Sequence, residues 1–188
     1  MTPTLQTRRL LLIPRQPEDT DQIQQLFPQW EIVKHLNAQV PWPFPADGAL
    51  NHYLNHTLPA IERGEEWHWT LRLKTSPEQI IGAISLLRGE NNRGFWLIPE
   101  MHRQGLMTEA VIAVNDYWFD VLKFPVLRAP KAIANTASRR LSEKTGMRVI
   151  ETKDSDYVIG RLPTERWEIT AEEWRSYRSK ISGEKSAE

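Results

Sequence analysis

The chain has 188 residues, 24 of them Lys or Arg and 24 Asp or Glu, with 40% hydrophobic residues. That length supports one domain with a buried core, and the charge balance excludes the basic surplus of a nucleic-acid footprint. There is no cysteine, so disulfides, Cys-ligated zinc and a cysteine nucleophile are excluded.

The first apolar run, Leu10-Leu11-Leu12-Ile13, follows Arg8-Arg9 and is cut off by Pro14. It is too short for a secretory core, and no later segment reaches membrane-spanning length. A cytoplasmic protein with no membrane partner is the expectation. Leu10 to Ile13 reads as a strand, with Leu5 leading in. Pro17-Glu18-Asp19 opens a helix that carries Ile23, Leu26 and Phe27 on one face. The alternate prolines of Gln39 to Pro45 exclude a regular helix or central strand. That stretch is an extended loop, either pinned over the core by Trp42 and Phe44 or facing a substrate. Asp47 is placed to cap a helix running through Leu50, Tyr53, Leu54, Leu58 and Ile61 to Gly64.

Glu66 to Leu73 alternates, with Trp67, Trp69, Leu71 and Leu73 on one face. Gln79 to Leu87 and Phe95 to Ile98 are two further strands, and the three form an antiparallel meander. Pro99 and a polar loop to Gly105 lead into a long helix marked by Met107, Ala110, Val111, Val114, Trp118, Val121 and Leu122. Val126 to Ala134 is a strand that a helical crossover predicts to be parallel to Phe95–Ile98. Asn135 to Lys144 is a helix stopped by Gly146. Val149-Ile150 pairs with Tyr157 to Gly160, and Arg166 to Ile169 is a last strand. Thr170 and Glu173 form a capping box for a terminal helix bearing Trp174 and Tyr177. Residues 1–181 form a single domain, and residues 182–188 are expected to be a polar, disordered tail.

The strand, polar loop and helix start around Gly105 place free backbone N–H groups where an anion such as a phosphate binds. The familiar nucleotide loops are absent: no Gly-Lys-Ser/Thr run and no Gly-x-Gly-x-x-Gly occurs. With no side chain, Gly105 lets a ligand approach the backbone.

Several stretches in order carry a resemblance. They are Leu5-Gln6-Thr7-Arg8-Arg9-Leu10, Trp42-Pro43-Phe44-Pro45, Trp96-Leu97-Ile98-Pro99-Glu100 and Gln104-Gly105-Leu106-Met107-Thr108-Glu109-Ala110. Asn135-Thr136-Ala137-Ser138, Glu143-Lys144-Thr145-Gly146 and Gly160-Arg161-Leu162 onward to Trp174 complete the set. Together they resemble the Gcn5-related N-acetyltransferases (GNAT), in the branch of the ribosomal-protein N-terminal acetyltransferases RimJ and RimL. The resemblance implies an α/β (α+β) fold: a mixed, mostly antiparallel central sheet with two splayed parallel central strands, flanked by helices. It implies acetyl-coenzyme A as cosubstrate, no metal, and transfer of the acetyl group to a primary amine by direct attack. The acceptor is a protein N-terminus, a peptide, an amino acid or a small amine. The protein is a monomer or a homodimer.

The family's Gln/Arg-x-x-Gly-x-Gly/Ala loop falls on His102 to Met107, with Gly105 as the matching glycine. Arg103 stands where related chains often carry glycine, which predicts a backbone φ below zero here and an added donor to the pyrophosphate. The resemblance implies cofactor contacts from Trp96, Leu97 and Ile98 (main chain to the pantetheine arm), from Arg103, Gln104, Gly105, Leu106, Met107 and Thr108 (phosphates), and from Asn135 and Ser138. Arg139 and Arg140 either reach the phosphates or stay solvated. Pro130, with no ladder donor, fits a splayed strand, an edge or a bulge. Asn135 also suits a helix cap. Ser138 is the candidate proton donor to the leaving thiolate, with Tyr157 behind it. Glu66 is the candidate base, with His68, His102 and Glu100 nearby. Glu66 and His68 share the face opposite the two tryptophans, which is either the cleft or a solvated face. A coenzyme A-binding sensor without turnover is the alternative function.

Overall fold

The computed structural model describes residues 2–184. Five strands, β1 (Leu5–Gln6), β2 (Leu10–Pro14), β3 (Glu66–Leu73), β4 (Gly82–Leu87) and β5 (Arg93–Leu97), form an antiparallel sheet in sequential order. Three more, β6 (Val126–Ala132), β7 (Arg148–Tyr157) and β8 (Gly160–Thr170), form a second sheet in the order β6-β8-β7. Helix α1 is Thr20–Leu26, α2 Trp30–Val33, α3 Gly48–His52 and α4 Leu58–Glu62, with a π turn at Tyr53–Thr57 joining the last two. Helix α5 is Leu106–Asp116, α6 Thr136–Lys144 and α7 Ala171–Glu184.

Period-2 alternation in β3 decides which side is the core. Trp67, Trp69 and Leu71 are buried on the face that meets Ala110, Val111 and Val114 of α5, and Trp118 just beyond it. The opposite face carries Glu66, His68, Thr70 and Arg72, so its polar groups need partners. Arg72 finds Asp19, and His68 finds Glu66 at 2.6 Å. The capping box of α7 forms as expected, with Thr170 N–H donating to Glu173 and Glu173 N–H to Thr170.

Some elements differ from the expectation. Asp47 sits at the N-cap of α3, but its side chain makes no capping bond. Helix α2 has four residues, too few for a periodic signal. Val158-Ile159 is a turn, not strand. Its flanks make one long hairpin, β7–β8. Strand β7 was hidden because it is an edge strand whose Glu151 to Asp154 are solvent-exposed, which removes the apolar alternation that marks a strand. Helix α7 continues to Glu184, into the stretch expected to be disordered, and residues 185–188 lie outside those described. The loop at Gln39 to Pro45 divides its aromatics. Phe44 packs edge-on against Phe27, which packs on Trp96, while Trp42 stays 43% exposed beside Trp30.

Candidate active site

The feature that positions the site is the junction of the two sheets. Strand β5 is the last strand of the first sheet and β6 the edge strand of the second, and no ladder joins them. They meet at one point. Asn92 N–H donates to the Arg128 carbonyl at 2.7 Å, and the Arg128 N–H donates to Asn92 Oδ1 at 2.8 Å. Beyond that point the strands part, as the splayed reading expects. Because Arg128 turns its main chain toward β5, residue 130 does too. The N–H that Pro130 lacks is therefore one that would face the gap, and β8 loses nothing. The edge-strand and splay readings of Pro130 are one arrangement.

The other wall of the gap is read the same way. Ile98 N–H donates to the Ile81 carbonyl, and Leu87 N–H to that of Asn92. Even-numbered residues of β5 thus pair with β4, and Phe95 and Leu97 turn their N–H and C=O groups into the gap. This narrows the expected Trp96 to Ile98 contact. Trp96 spends its main chain on β4, Ile98 spends its N–H on the Ile81 carbonyl and its carbonyl on Met101 N–H, and Leu97 is the member of the three that faces outward. Its carbonyl accepts from His102 Nε2 at 2.8 Å, so that nitrogen carries the proton. His102 is thereby tied to the strand rather than free as a base.

Below the gap, the loop folds into the start of α5. Gly105 has φ +74° as its N-cap, leaving the first-turn N–H groups of Leu106, Met107 and Thr108 uncapped by a side chain. Arg103 has φ +60°. This corrects the expectation of a negative φ: the position that glycine often fills in related chains is left-handed, and arginine holds it at a cost of about 1–2 kcal/mol. Arg103, Gln104 and Gly105 are exposed, and Arg103 makes no ion pair among the described residues. The Gln104 side chain turns back to the Glu100 carbonyl. Over this turn stands Arg9, a residue whose role the sequence did not signal. Its guanidinium lies 3.5 Å from where a Gly105 Cβ would be, and Glu109 holds it at 2.6 Å with help from Thr7. The partners are a hundred residues apart, so no local pattern reveals them.

Helix α6 supplies the other flank. Asn135 Oδ1 accepts from Ser138 N–H at 3.2 Å, so the capping reading of Asn135 holds. Ser138 is 7% exposed, and its hydroxyl has no partner among the described residues. Arg139 is bound by both oxygens of Glu165, at 2.7 and 2.8 Å, whereas Arg140 is exposed and unpaired among the described residues. Tyr157 is buried and bonded to Thr164 Oγ1 at 2.8 Å. The Thr164 hydroxyl donates to the Leu162 carbonyl, so the Tyr157 proton is engaged there rather than toward Ser138, and burial pushes its phenol pKa up.

On the polar face of the first sheet, one row crosses toward the gap: His68 pairs with Ser85, and Ser85 with Gly94. The row spans two strand spacings, about 10 Å. Gly94 contributes no side chain, and a Cβ there would meet Ser85 Oγ at 3.4 Å. Glu66 accepts from His68 Nε2, so the neutral form of the ring would carry its lone pair at Nδ1. Beyond it, partial desolvation, with the charges of Arg15 and His56 adding to it, holds the His52 pKa down to about 4. Among the described residues no group of three or more acidic or histidine side chains is placed to hold a metal. None of the described helices is long and apolar enough to cross a membrane.

The acetyltransferase (GNAT) domain family matches residues 9–148. The chain belongs to that family. A Bacillus subtilis (strain 168) protein, the probable N-acetyltransferase YjcK, is 35% identical over 92 residues, 46% of this chain and 50% of that one. The chain thus spans about half the length of this curated relative. The ribosomal-protein-S5-alanine acetyltransferase of Vibrio fischeri has a similar structure, with a TM-score of 0.78 at 14% identity over 92% of this chain and 98% of that one. The spermidine N-acetyltransferase of Vibrio cholerae, solved with coenzyme A and spermine, gives 0.75 at 18% identity over 89% and 99%. These likenesses show the GNAT fold, with its antiparallel sheet flanked by helices. The residues around the gap fit the family's cosubstrate, acetyl-coenzyme A: an open, glycine-hinged helix start lies beside a strand with unspent main-chain groups.

Proposed function

We propose that the protein is an N-acetyltransferase that moves the acetyl group of acetyl-coenzyme A onto a primary amine by direct attack. The observation that carries the reading is the gap between β5 and β6. Its strand groups at Phe95 and Leu97 face outward, next to the uncapped start of α5. In this reading the first-turn N–H groups of Leu106 to Thr108, with Arg103, Arg140 and Arg9, hold the pyrophosphate, an anion suited to a helix N-terminus. Gln104, Gly105 and Met107 shape that turn. Leu97 and Asn135 hold the pantetheine amides, and Trp96 and Ile98 fix β5 in register. Acetyl-coenzyme A supplies an acetyl group already activated as a thioester.

The amine enters from the polar face, over the room left by Gly94. His68 Nδ1, directed by Glu66, draws off the ammonium proton, and a water at Ser85 Oγ spans the remaining distance. Phe95 N–H stabilises the oxyanion, a type of contact worth roughly 10²–10³ in rate. Ser138 gives its hydroxyl proton to the departing sulfur. Tyr157, committed to Thr164, shapes the wall behind it. The relatives named above acetylate a ribosomal-protein alanine in one case and spermidine in the other, so a panel of acceptors decides the amine. The test is thiol detection of released coenzyme A against dipeptides, ribosomal-protein N-termini, polyamines and amino acids. Release with one class supports the reading. Coenzyme A binding without release from any amine overturns it.

A further inference from the structure

Strand β6 carries a residue that its surroundings do not explain. By period 2, Lys131 points the same way as Leu127 and Ala129, into the core. It is 8% exposed, and it has neither a hydrogen bond nor an ion pair among the described residues. Its Nζ stands 4.5 Å from the centre of the Phe95 ring. The nearby charged group is another cation: Arg93, 4% exposed, bonded to Asn115 and to the sulfur of Met147 but with its Nε unpartnered. A buried ammonium normally has a carboxylate or several acceptors, and this one has an aromatic face.

The register says where that amine is. Asn92 and Arg128 are level with each other at the closed end of the gap. Three residues further along each strand come Phe95 and Lys131, where the strands begin to part. Phe95 N–H is the donor to which the proposed function assigns the thioester carbonyl. Lys131 thus sits beside that carbonyl, on the α5 side, while the acceptor amine comes from the opposite face.

We propose that Lys131 is a self-acetylation site, its Nζ taking the acetyl group from coenzyme A bound in the chain's own gap. The inference rests on the proposed function. The neutral amine attacks the thioester carbon, a C–N bond forms, the C–S bond breaks, and the coenzyme A thiol leaves with the proton that nitrogen loses. The product is an amide, stable to water, so it accumulates and does not hand the acetyl on. Burial, with Arg93 adding to it, lowers the Lys131 pKa to about 7. At neutral pH its reactive neutral fraction is therefore on the order of a thousandfold that of an ordinary lysine. The adduct removes a buried charge and places the three heavy atoms of acetyl beside Phe95, which narrows the gap and lowers turnover.

The experiment incubates the full chain with acetyl-coenzyme A in the absence of any acceptor amine. Intact mass and peptide mapping follow, and calorimetry measures coenzyme A binding on the same sample. The expected result is coenzyme A binding and one acetyl group per chain, located on Lys131. It forms at least about tenfold faster than on any exposed lysine and is absent in Lys131→Arg. Coenzyme A binding with Lys131 unmodified, or modified no faster than the exposed lysines, overturns this inference alone. No coenzyme A binding at all overturns the proposed function with it.

Discussion

The two edges of β5 are made of the same five residues and behave oppositely. Toward β4 every second residue pairs in a regular antiparallel register, from Arg93 opposite Leu86 to Leu97 opposite Gly82. Toward β6 there is one clamp, Asn92 on Arg128, and then main-chain groups with no strand to meet. An unmet strand edge is ordinarily a liability. Here it lies between two sheets, flanked by the starts of α5 and α6, so it is sheltered and available to a ligand that brings its own amides. The paired edge holds the open one in shape.

This contrast can be broken at several points. The largest effect is expected at the open end. Ser138→Ala removes a hydroxyl that has no partner among the described residues, so stability should hold within about 0.5 kcal/mol while kcat falls roughly 10²-fold or more. Steady-state kinetics beside a urea melt reads both, and unchanged turnover removes Ser138 as the acid.

Inside the gap, Lys131→Met should stabilise the fold at pH 6, by roughly 2–4 kcal/mol. The sign follows from the lowered pKa: between about 7 and 10.5 the unfolded chain holds a proton that the folded chain releases. The wild type therefore gains stability as pH rises through that window, and the variant's advantage should shrink across it. Urea melts at pH 6 and pH 10 test this, and an advantage independent of pH contradicts it.

At the closed end, Asn92→Ala strips the acceptor from Arg128 N–H and two donations, to the Leu87 and Gly89 carbonyls. The side chain is buried, so the loss should be about 2–3 kcal/mol in a denaturant melt, with a raised KM for acetyl-coenzyme A as the clamp loosens.

The two loop positions give the smallest effects: one substitution adds backbone strain and the other relieves it. Gly105→Ala forces a Cβ into φ +74° with no clash beyond ordinary contact, so coenzyme A affinity should weaken about tenfold through strain alone. Arg103→Gly relieves a left-handed arginine and should raise stability by up to about 1 kcal/mol, while loss of its positive charge weakens coenzyme A binding. Calorimetry on both variants separates strain from charge, and a tighter constant for Arg103→Gly removes Arg103 as a phosphate ligand.

The paired part of the molecule was the legible part. Trp67, Trp69 and Leu71 alternate because β3 is buried on one face, and Thr170 with Glu173 announces the last helix through local hydrogen bonds. Gly105 was visible because the chemistry of a helix start is local, whereas Asn135 and Ser138 read locally as a helix cap and became site candidates only through the family resemblance. The rest depends on contacts distant in sequence. Arg9 reaches Gly105 only through Glu109. The row from His68 through Ser85 to Gly94 exists only after two strands have paired. The sign of φ at Arg103 is set by the turn, and side-chain identity alone pointed the wrong way. Lys131 did leave a trace, a charged residue at an inward position of an apolar strand, but its weight appears only beside Arg93 and Phe95.

The most direct test of the gap as the acetyl-coenzyme A site is a crystal structure of the protein grown with coenzyme A. The expected result is the pantetheine arm lying between β5 and β6 on the main chain of Leu97, with its sulfur between Phe95 N–H and the Ser138 hydroxyl and its pyrophosphate on the start of α5. Coenzyme A bound elsewhere, or the two strands zipped into a continuous ladder beyond Asn92 and Arg128, contradicts it.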